Sequence, residues 1–141
     1  MMEFLFDTAR AVANLIRNGV VARYPVIRYV IPHAGGVLPI LAPRINGIVQ
    51  ITRKPEERAD VLGGFRSLYY DLAGPSIMQQ LRPLLNITAD THLVYGTDWP
   101  FAPAGDCEAQ KAMLADTDQI TDEQKRKIFR DNALALFPRF R

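Results

Sequence analysis

The sequence predicts an α/β fold in which βα repeats build a parallel sheet. Short apolar runs typical of buried strands alternate with segments whose apolar residues recur at helical spacing. No hairpin turn such as Asn-Gly joins two of the predicted strands, which favours parallel strands over hairpins. Two of the runs deliver an ionisable side chain, His33 and Asp98, just before the chain turns. In parallel α/β folds this edge of the sheet is where active sites are built.

The composition indicates a globular chain of one-domain size. At 141 residues, with 48% hydrophobic and 23% charged residues, we expect a single domain over 1–141. The net charge is only +2, from 17 basic and 15 acidic residues, and the basic residues are scattered. This is too weak an electrostatic footprint for a nucleic-acid partner, so none is expected.

The number of cysteines and the absence of long apolar runs indicate the cellular compartment in which we expect the protein. Cys107 is the only cysteine, which excludes an intrachain disulfide and a Cys-rich zinc motif and favours a reducing compartment. No apolar run approaches the roughly 20 residues of a membrane span. The first residues lack the basic and small-residue features of a signal peptide. We therefore expect a cytoplasmic protein with no membrane contact.

The chain opens in an amphipathic helix that ends at Asn18-Gly19, a typical C-terminal stop. Its predicted buried face consists of Leu5, Thr8, Val12, Leu15 and Ile16. A first strand is predicted over 27–31. After His33, two glycines lead into a helix over 37–45, in which Pro39 is tolerable in the first turn. Pro43 is expected to kink or shorten that helix.

The sequence pattern in the middle of the chain predicts one more strand between two helices. A surface turn at 54–58 leads into a short helix that is expected to end near Gly63-Gly64. The second strand is predicted over 67–72. Ser76 is then expected to cap a helix that runs to residue 85.

The last third supplies a third strand, over 93–95, and two helices. The first helix is predicted over 108–115. The final helix begins at Thr121, where Thr-Asp-Glu-Gln fits a capping box, and runs to about Phe137. Three strands are few for a free-standing parallel sheet, so the sheet is expected to be part of a larger one.

Taken in order, these segments resemble the amidohydrolase-related family, and within it the metal-dependent decarboxylases and hydrolases similar to aminocarboxymuconate semialdehyde decarboxylase and γ-resorcylate decarboxylase. The resemblance covers nearly the whole chain. The matching stretches are Glu3-Phe4-Leu5-Phe6-Asp7-Thr8-Ala9-Arg10-Ala11, Ile31-Pro32-His33-Ala34-Gly35-Gly36 with Leu38-Pro39, Leu68-Tyr69-Tyr70-Asp71-Leu72-Ala73-Gly74, Val94-Tyr95-Gly96-Thr97-Asp98-Trp99-Pro100-Phe101, and Asn132-Ala133 with Leu136-Phe137.

The resemblance implies the C-terminal portion of a TIM (β/α)8 barrel. About three βα units, preceded by the helix that follows the fifth strand, would be present. A complete barrel needs about 250 residues, so this chain would be roughly half of one.

The resemblance also implies roles for residues at the strand ends. Asp98 matches the eighth-strand aspartate that binds a divalent metal, zinc or manganese, and His33 matches the sixth-strand histidine that acts as general acid/base. Both residue types suit those roles, as a hard carboxylate ligand and a side chain that titrates near neutral pH. Trp99 and Phe101 are candidates for lining the substrate mouth, with core packing as the alternative. The alternative for Asp98 is that this residue only forms the turn.

The chain departs from the family pattern in its histidines. The other metal ligands of the family come from a His-x-His motif and from a fifth-strand histidine, and neither is present. His92 precedes the third strand, at the opposite end of the barrel, and is interpreted as structural or surface-exposed. Asp71 is interpreted as structural.

The predicted function is that of a metal-dependent hydrolase or decarboxylase acting on a small carboxylated organic compound, represented here by its C-terminal half. The missing ligands would come from an N-terminal half of the barrel. The alternative is a catalytically inactive remnant that self-associates as a homo-oligomer or binds a partner. The isolated chain is expected to lack turnover, because one aspartate and one base do not complete the site.

Overall fold

A computed structural model, which describes residues 2–75 and 77–141, contains a three-stranded parallel sheet in the order β1-β2-β3. The strands are β1 (Val30–Ile31), β2 (Tyr69–Asp71) and β3 (Leu93–Val94). The register places Val30 opposite Tyr69, Ile31 opposite Tyr70, Tyr70 opposite Leu93 and Asp71 opposite Val94. Strands adjacent in sequence are adjacent in the sheet and parallel, so the predicted βα-repeat architecture is confirmed.

Helices connect the strands and follow the last one. The α-helices are α1 (Met2–Arg17), α2 (Val20–Arg23), α3 (Leu38–Thr52), α4 (Val61–Arg66), α5 (Ile77–Leu85), α6 (Ala104–Asp116), α7 (Asp122–Arg126) and α8 (Asn132–Leu136). Short 3-10 turns cover His33–Gly35, Pro55–Glu57, Asp90–His92 and Pro138–Phe140, and a π-helical turn over Lys127–Asp131 joins α7 to α8. Among the described residues, no helix combines the length and apolar character needed to cross a membrane.

The core centres on Tyr70 in the middle strand. Its side chain is fully buried, its hydroxyl donates to the Phe65 carbonyl oxygen at 2.8 Å, and burial raises the pKa of this phenol. Other fully buried large side chains come from helices, from β3 and from the residues that flank β2: Leu38, Phe65, Leu68, Leu72, Leu81, Leu84, Leu93, Leu114 and Ile128. Helical side chains thus cover the sheet, as parallel strands require.

The predicted buried face of α1 is confirmed only in part, because Val12 and Ile16 are buried whereas Leu5, Thr8 and Leu15 are half-buried. Ala9, Val12 and Ile16 form the buried stripe of α1. Gly19 follows the helix with φ of +68°, a conformation that glycine adopts without steric cost.

Helix α3 is longer than predicted. It extends to Thr52 with Pro43 inside it, so the expected shortening at Pro43 is wrong. The proline ring faces solvent, whereas Leu38, Ala42 and Val49 are buried. Burial of that face outweighs the single backbone hydrogen bond that Pro43 cannot donate.

The expectation that a helix ends near Gly63-Gly64 is also wrong, because both glycines lie inside α4. The Asp60 carboxylate caps this helix by accepting from the Gly63 backbone N–H at 2.8 Å. Gly64 packs directly against α1, where a Cβ on residue 64 would lie 2.6 Å from Ile16 Cγ2. Close helix packing, rather than helix termination, is the reason for a glycine here.

The remaining boundaries differ mainly at the ends of elements. The strands are shorter than predicted because pairing occurs only where neighbouring strands lie opposite each other. Helix α6 begins earlier, at Ala104. The capping box at Thr121 is present, with Gln124 as its reciprocal partner. Ser76, predicted to cap α5, lies outside the described residues.

We expect opposite effects from adding one methyl group to two helical glycines. Gly64→Ala should lower the free energy of unfolding by about 1–3 kcal/mol, because it overpacks the α1–α4 contact. Gly47→Ala in α3, where nothing lies within 4 Å of an added Cβ, should raise it by about 0.4–1 kcal/mol. Urea unfolding of both variants measures this difference, and a Gly64→Ala variant as stable as Gly47→Ala would contradict the packing argument.

Candidate functional site

Three non-glycine residues of the described chain have positive φ, and all lie where β1 and β3 have ended. They are His33 at +54°, Ala34 at +55° and Asp98 at +63°. The left-handed region costs a non-glycine residue about 1–2 kcal/mol, and such strain clusters at functional sites. Two of the three are the residues that the sequence selects as acid/base and metal ligand. Backbone strain therefore supports the same location by an independent route.

Asp71, the last residue of β2, connects the ends of β1 and β2. Its Oδ1 atom accepts from the His33 backbone N–H at 2.8 Å and from the Ala73 backbone N–H at 3.2 Å. Both N–H donors belong to residues that follow the paired part of their strands. The carboxylate thus replaces the strand pairing that ends here.

The His33 ring packs against the segment that follows Asp71. Its Nδ1 atom lies 3.3 Å from the Ala73 carbonyl oxygen, and a Cβ on residue 74 would lie 3.2 Å from the same nitrogen. Gly74, at φ +99°, therefore leaves room for the ring, and its N–H donates to Gln110 Oε1 at 2.9 Å. A carbonyl oxygen only accepts, so a hydrogen bond at this contact forms in the tautomer that carries its proton on Nδ1. The neutral ring then has its lone pair on Nε2.

The loop after β3 carries Asp98 and is fastened from α6. The buried Cys107 thiol donates to the Thr97 carbonyl oxygen at 3.2 Å, and the Ala102 N–H donates to the Asp98 carbonyl oxygen at 2.9 Å. Asp98 is half-buried, and among residues 2–75 and 77–141 nothing forms a hydrogen bond or ion pair with its carboxylate. An unpaired, half-buried carboxylate at a sheet edge is chemically suited to a cation.

Trp99 and Phe101 lie on the same loop and face solvent. Their exposures are 65% and 89%. Neither side chain packs into the core that the described residues form. Both aromatic rings are free to contact a ligand at this edge.

The donors that the structure provides do not complete a metal site. His33 and Asp98 lie at the same edge of the sheet, but no hydrogen bond or ion pair joins them in the described chain. Within that part of the chain, no group of three or more His, Cys, Asp or Glu side chains is placed to hold a metal. A catalytic zinc site takes three protein ligands, so the residues present amount to a partial donor set.

His92 lies away from this edge. It ends the 3-10 turn before β3, and its ring packs 4.7 Å from the ring of Tyr69, the first residue of β2. Burial lowers the pKa of His92. This placement fits the structural interpretation of His92.

Sequence reasoning missed the supporting residues Gln110 and Cys107. Both lie on the buried face of α6 with Leu114, and the spacing 107, 110, 114 is a helical stripe that was available in the sequence. The backbone groups that they contact belong to other loops. No local sequence signal identifies such partners.

Comparison with known proteins shows one family over almost the whole chain. The amidohydrolase family profile matches residues 5–139. Decarboxylase yanB of Aspergillus niger is 32% identical over 147 residues, covering 99% of this chain and 39% of that protein. The 6-methylsalicylic acid decarboxylase of Penicillium expansum is 28% identical, covering 100% of this chain and 44% of that protein. The chain therefore spans less than half the length of these relatives.

Solved structures agree on the fold. A crystal structure of an amidohydrolase II has a TM-score of 0.86 at 35% identity, covering 94% of this chain and 42% of that one. A dihydroxybenzoic acid decarboxylase from Polaromonas sp. JS666, solved with bound manganese and 2-nitroresorcinol, has a TM-score of 0.81 at 24% identity, covering 98% and 42%. The predicted fold, a portion of a TIM-barrel amidohydrolase, is confirmed.

We expect the Cys107 thiol to hold the Asp98 loop. Cys107→Val removes the donor to Thr97, so exchange of the Ala102 amide should accelerate by roughly fivefold, the equivalent of about 1 kcal/mol. Cys107→Ser retains a donor and should exchange like the wild type. Hydrogen exchange at Ala102 measures both, and equal rates in the Val and Ser variants would contradict this role.

The stability of the folded chain should depend on pH through His92. Its pKa lies below the usual 6.5, so the folded state binds fewer protons than the unfolded state near that pH. The free energy of unfolding must then fall as pH drops through 6.5. His92→Gln should lose less stability than wild type between about pH 7 and about pH 5, measured by urea unfolding. Identical losses in the two proteins would show that His92 is not responsible.

Proposed function

This chain belongs to the amidohydrolase family, and from that premise we propose that it supplies the C-terminal part of the active site of a metal-dependent decarboxylase. The observation that carries the proposal is the pair His33 and Asp98, both on left-handed backbone at the C-terminal edge of the parallel sheet. Relatives named as decarboxylases support this reaction over hydrolysis.

His33 is proposed as the general acid/base. Decarboxylation replaces a carboxylate on carbon by a proton and releases carbon dioxide, so a group at the site must deliver that proton. With Nδ1 directed at the Ala73 carbonyl oxygen, Nε2 is the atom that exchanges a proton with the substrate. The left-handed backbone and the Gly74 contact fix the direction in which this nitrogen points.

Asp98 is proposed as one ligand of a divalent metal, zinc or manganese, which would supply Lewis-acid polarisation of substrate oxygens when bound. Its unpaired carboxylate fits this role, but the remaining ligands lie outside the set that this chain provides. The manganese in the Polaromonas relative supports a divalent metal of this kind.

The substrate class is proposed to be a small aromatic carboxylate. The named relatives act on 6-methylsalicylic acid and dihydroxybenzoic acid, which are hydroxylated aromatic acids. Trp99 and Phe101, exposed beside Asp98, suit the face or edge of an aromatic ring.

Residues 1–141 are proposed to act as one partial-barrel domain that requires further strands. The outer edge of β1 is open, and the apolar side chains leading into it are exposed, Val26 to 88% and Ile27 to 50%. A strand edge that is unpaired and lies beside exposed apolar side chains favours association with another chain. We propose that an N-terminal half of the barrel covers it, or otherwise a second copy of this chain.

A second candidate is a non-catalytic remnant that self-associates or binds a partner. The partial donor set favours it, because the described residues hold no cluster of three metal ligands. In that case the exposed β1 edge would be the functional surface. His33 and Asp98 would keep their positions at the sheet edge but would take part in no reaction.

We expect metal and turnover to depend on different residues of this site. The chain is purified from its native source, together with any polypeptide that remains bound to it. In this material Asp98→Ala should lower the ratio of bound metal to chain at least about tenfold, because a charged ligand is removed. His33→Gln should keep the metal and lose carbon dioxide release from 6-methylsalicylate and 2,6-dihydroxybenzoate. Elemental analysis and a carbon dioxide assay measure the two effects.

The control is Asp118→Ala, which removes an exposed carboxylate elsewhere on the chain and should change neither quantity. Light scattering on the same samples reports which assembly holds the metal. Metal content and turnover that are unchanged in Asp98→Ala and His33→Gln would contradict the proposal. Absence of both in the wild type would favour the non-catalytic candidate.

A further inference from the structure

We propose that Asp71 is the positioning residue that sets the tautomer and direction of the His33 imidazole. The inference deepens the proposed function, on which its catalytic meaning rests, because it identifies what holds the acid/base in a productive form. Asp71 acts on the ring through backbone groups, since its carboxylate bonds to the N–H groups of His33 and Ala73 and not to the imidazole.

One oxygen of Asp71 joins the segment that follows β1 to the segment that follows β2. Oδ1 of Asp71 accepts from His33 N–H at 2.8 Å and from Ala73 N–H at 3.2 Å. The first bond fixes where the His33 backbone lies after β1. The second fixes the turn that follows β2. One carboxylate oxygen therefore sets the relative position of two segments that no strand pairing connects.

The position of the second segment determines the proton on His33. The Ala73 carbonyl oxygen lies 3.3 Å from Nδ1, and this acceptor stabilises the ring form with hydrogen on Nδ1. On the next residue, the Gly74 N–H is held by Gln110 Oε1 at 2.9 Å. The peptide that faces the ring is thus fixed from both sides, by Asp71 and by Gln110.

Steric contact leaves the ring little freedom to turn away. Gly74 approaches so closely that a Cβ there would lie 3.2 Å from Nδ1. His33 itself is held at φ +54° by the same Asp71 oxygen that receives its N–H. Loss of the Asp71 acceptor would release the strained backbone and the facing carbonyl together.

Acceptor capacity, rather than charge, is the property that this role requires. Asp71→Asn keeps a side-chain carbonyl oxygen that can accept from both N–H groups. Asp71→Ala removes the acceptor, and Asp71→Leu removes it while keeping nearly the shape of asparagine. The three variants separate hydrogen bonding from charge and from packing.

The experiment is imidazole nitrogen NMR on the full chain labelled with ¹⁵N-histidine, above the pH at which the rings are protonated. The chain has two histidines, and His92→Gln assigns the signals. We expect His33 in the wild type and in Asp71→Asn to carry its proton on Nδ1. In Asp71→Ala and Asp71→Leu the ratio of the Nδ1–H to the Nε2–H form should fall by roughly 2- to 10-fold, the equivalent of one hydrogen bond.

His92 provides an internal check, because its ring packs on Tyr69 in the same strand as Asp71. Unchanged His92 signals show that β2 is intact, so that a change at His33 is local. Asp98→Ala, the same chemical change as Asp71→Ala at the same edge, should leave the His33 tautomer unaltered. If Asp71→Ala does not fold, Asp71→Leu and Asp71→Asn carry the comparison.

Three results would overturn the inference. They are an Nε2–H tautomer for His33 in the wild type, an unchanged tautomer ratio in a folded Asp71→Ala or Asp71→Leu variant, and a change in Asp98→Ala equal to that in Asp71→Ala. None of these readouts requires metal or turnover. Failure of the decarboxylase proposal is therefore distinguishable from failure of this one.

Discussion

Strand β2 is paired on both sides, and consecutive residues of this strand serve the core and the candidate site. Tyr70 is fully buried and donates its hydroxyl to Phe65, which ties the middle of the sheet to α4. Asp71 follows at the end of the strand and receives the N–H groups of His33 and Ala73. Because side chains alternate along a strand, one residue packs into the interior while the next reaches the mouth of the sheet. The rest of the candidate site depends on this arrangement.

The energetic balance at this edge combines backbone strain with well-formed hydrogen bonds. Left-handed φ values at His33 and Asp98 are unfavourable for residues with a Cβ. The strain at His33 is offset locally, where Asp71 accepts its N–H. At Asp98, the Ala102 N–H and the Cys107 thiol fasten the loop. Specific partners thus hold the strained backbone at both residues, which is the kind of preorganisation that the proposed acid/base and metal ligand need.

Within the described residues, no neighbouring strand pairs with the outer edge of β1. A parallel sheet is stable when both faces and both edges are covered, and here the outer edge of β1 is open beside exposed apolar residues. The chain also covers 42% of each of the two barrel structures compared above. Both the open edge and the partial donor set agree with the proposal that further strands of a barrel complete this chain.

The sequence by itself determined the order of elements, the parallel architecture and the location of the candidate site. Hydrophobic periodicity is a local property, and so is an ionisable residue that follows an apolar run, as at His33 and Asp98. Sequence patterns were less reliable where local preference competes with packing. Pro43 did not end α3, because burial of the opposite helix face outweighs one missing hydrogen bond. Gly64 did not end α4, because its missing side chain accommodates Ile16.

Only the tertiary structure decided which groups surround the candidate acid/base. Asp71 is 38 residues from His33 along the chain, and Gln110 is 36 residues from Gly74. Those contacts arise from the parallel register and from the docking of α6, neither of which is encoded in a short motif. The left-handed conformation of His33 is likewise held by the distant Asp71, since local preference disfavours it. The sequence therefore specifies which residues are available for chemistry, and long-range packing fixes their orientation.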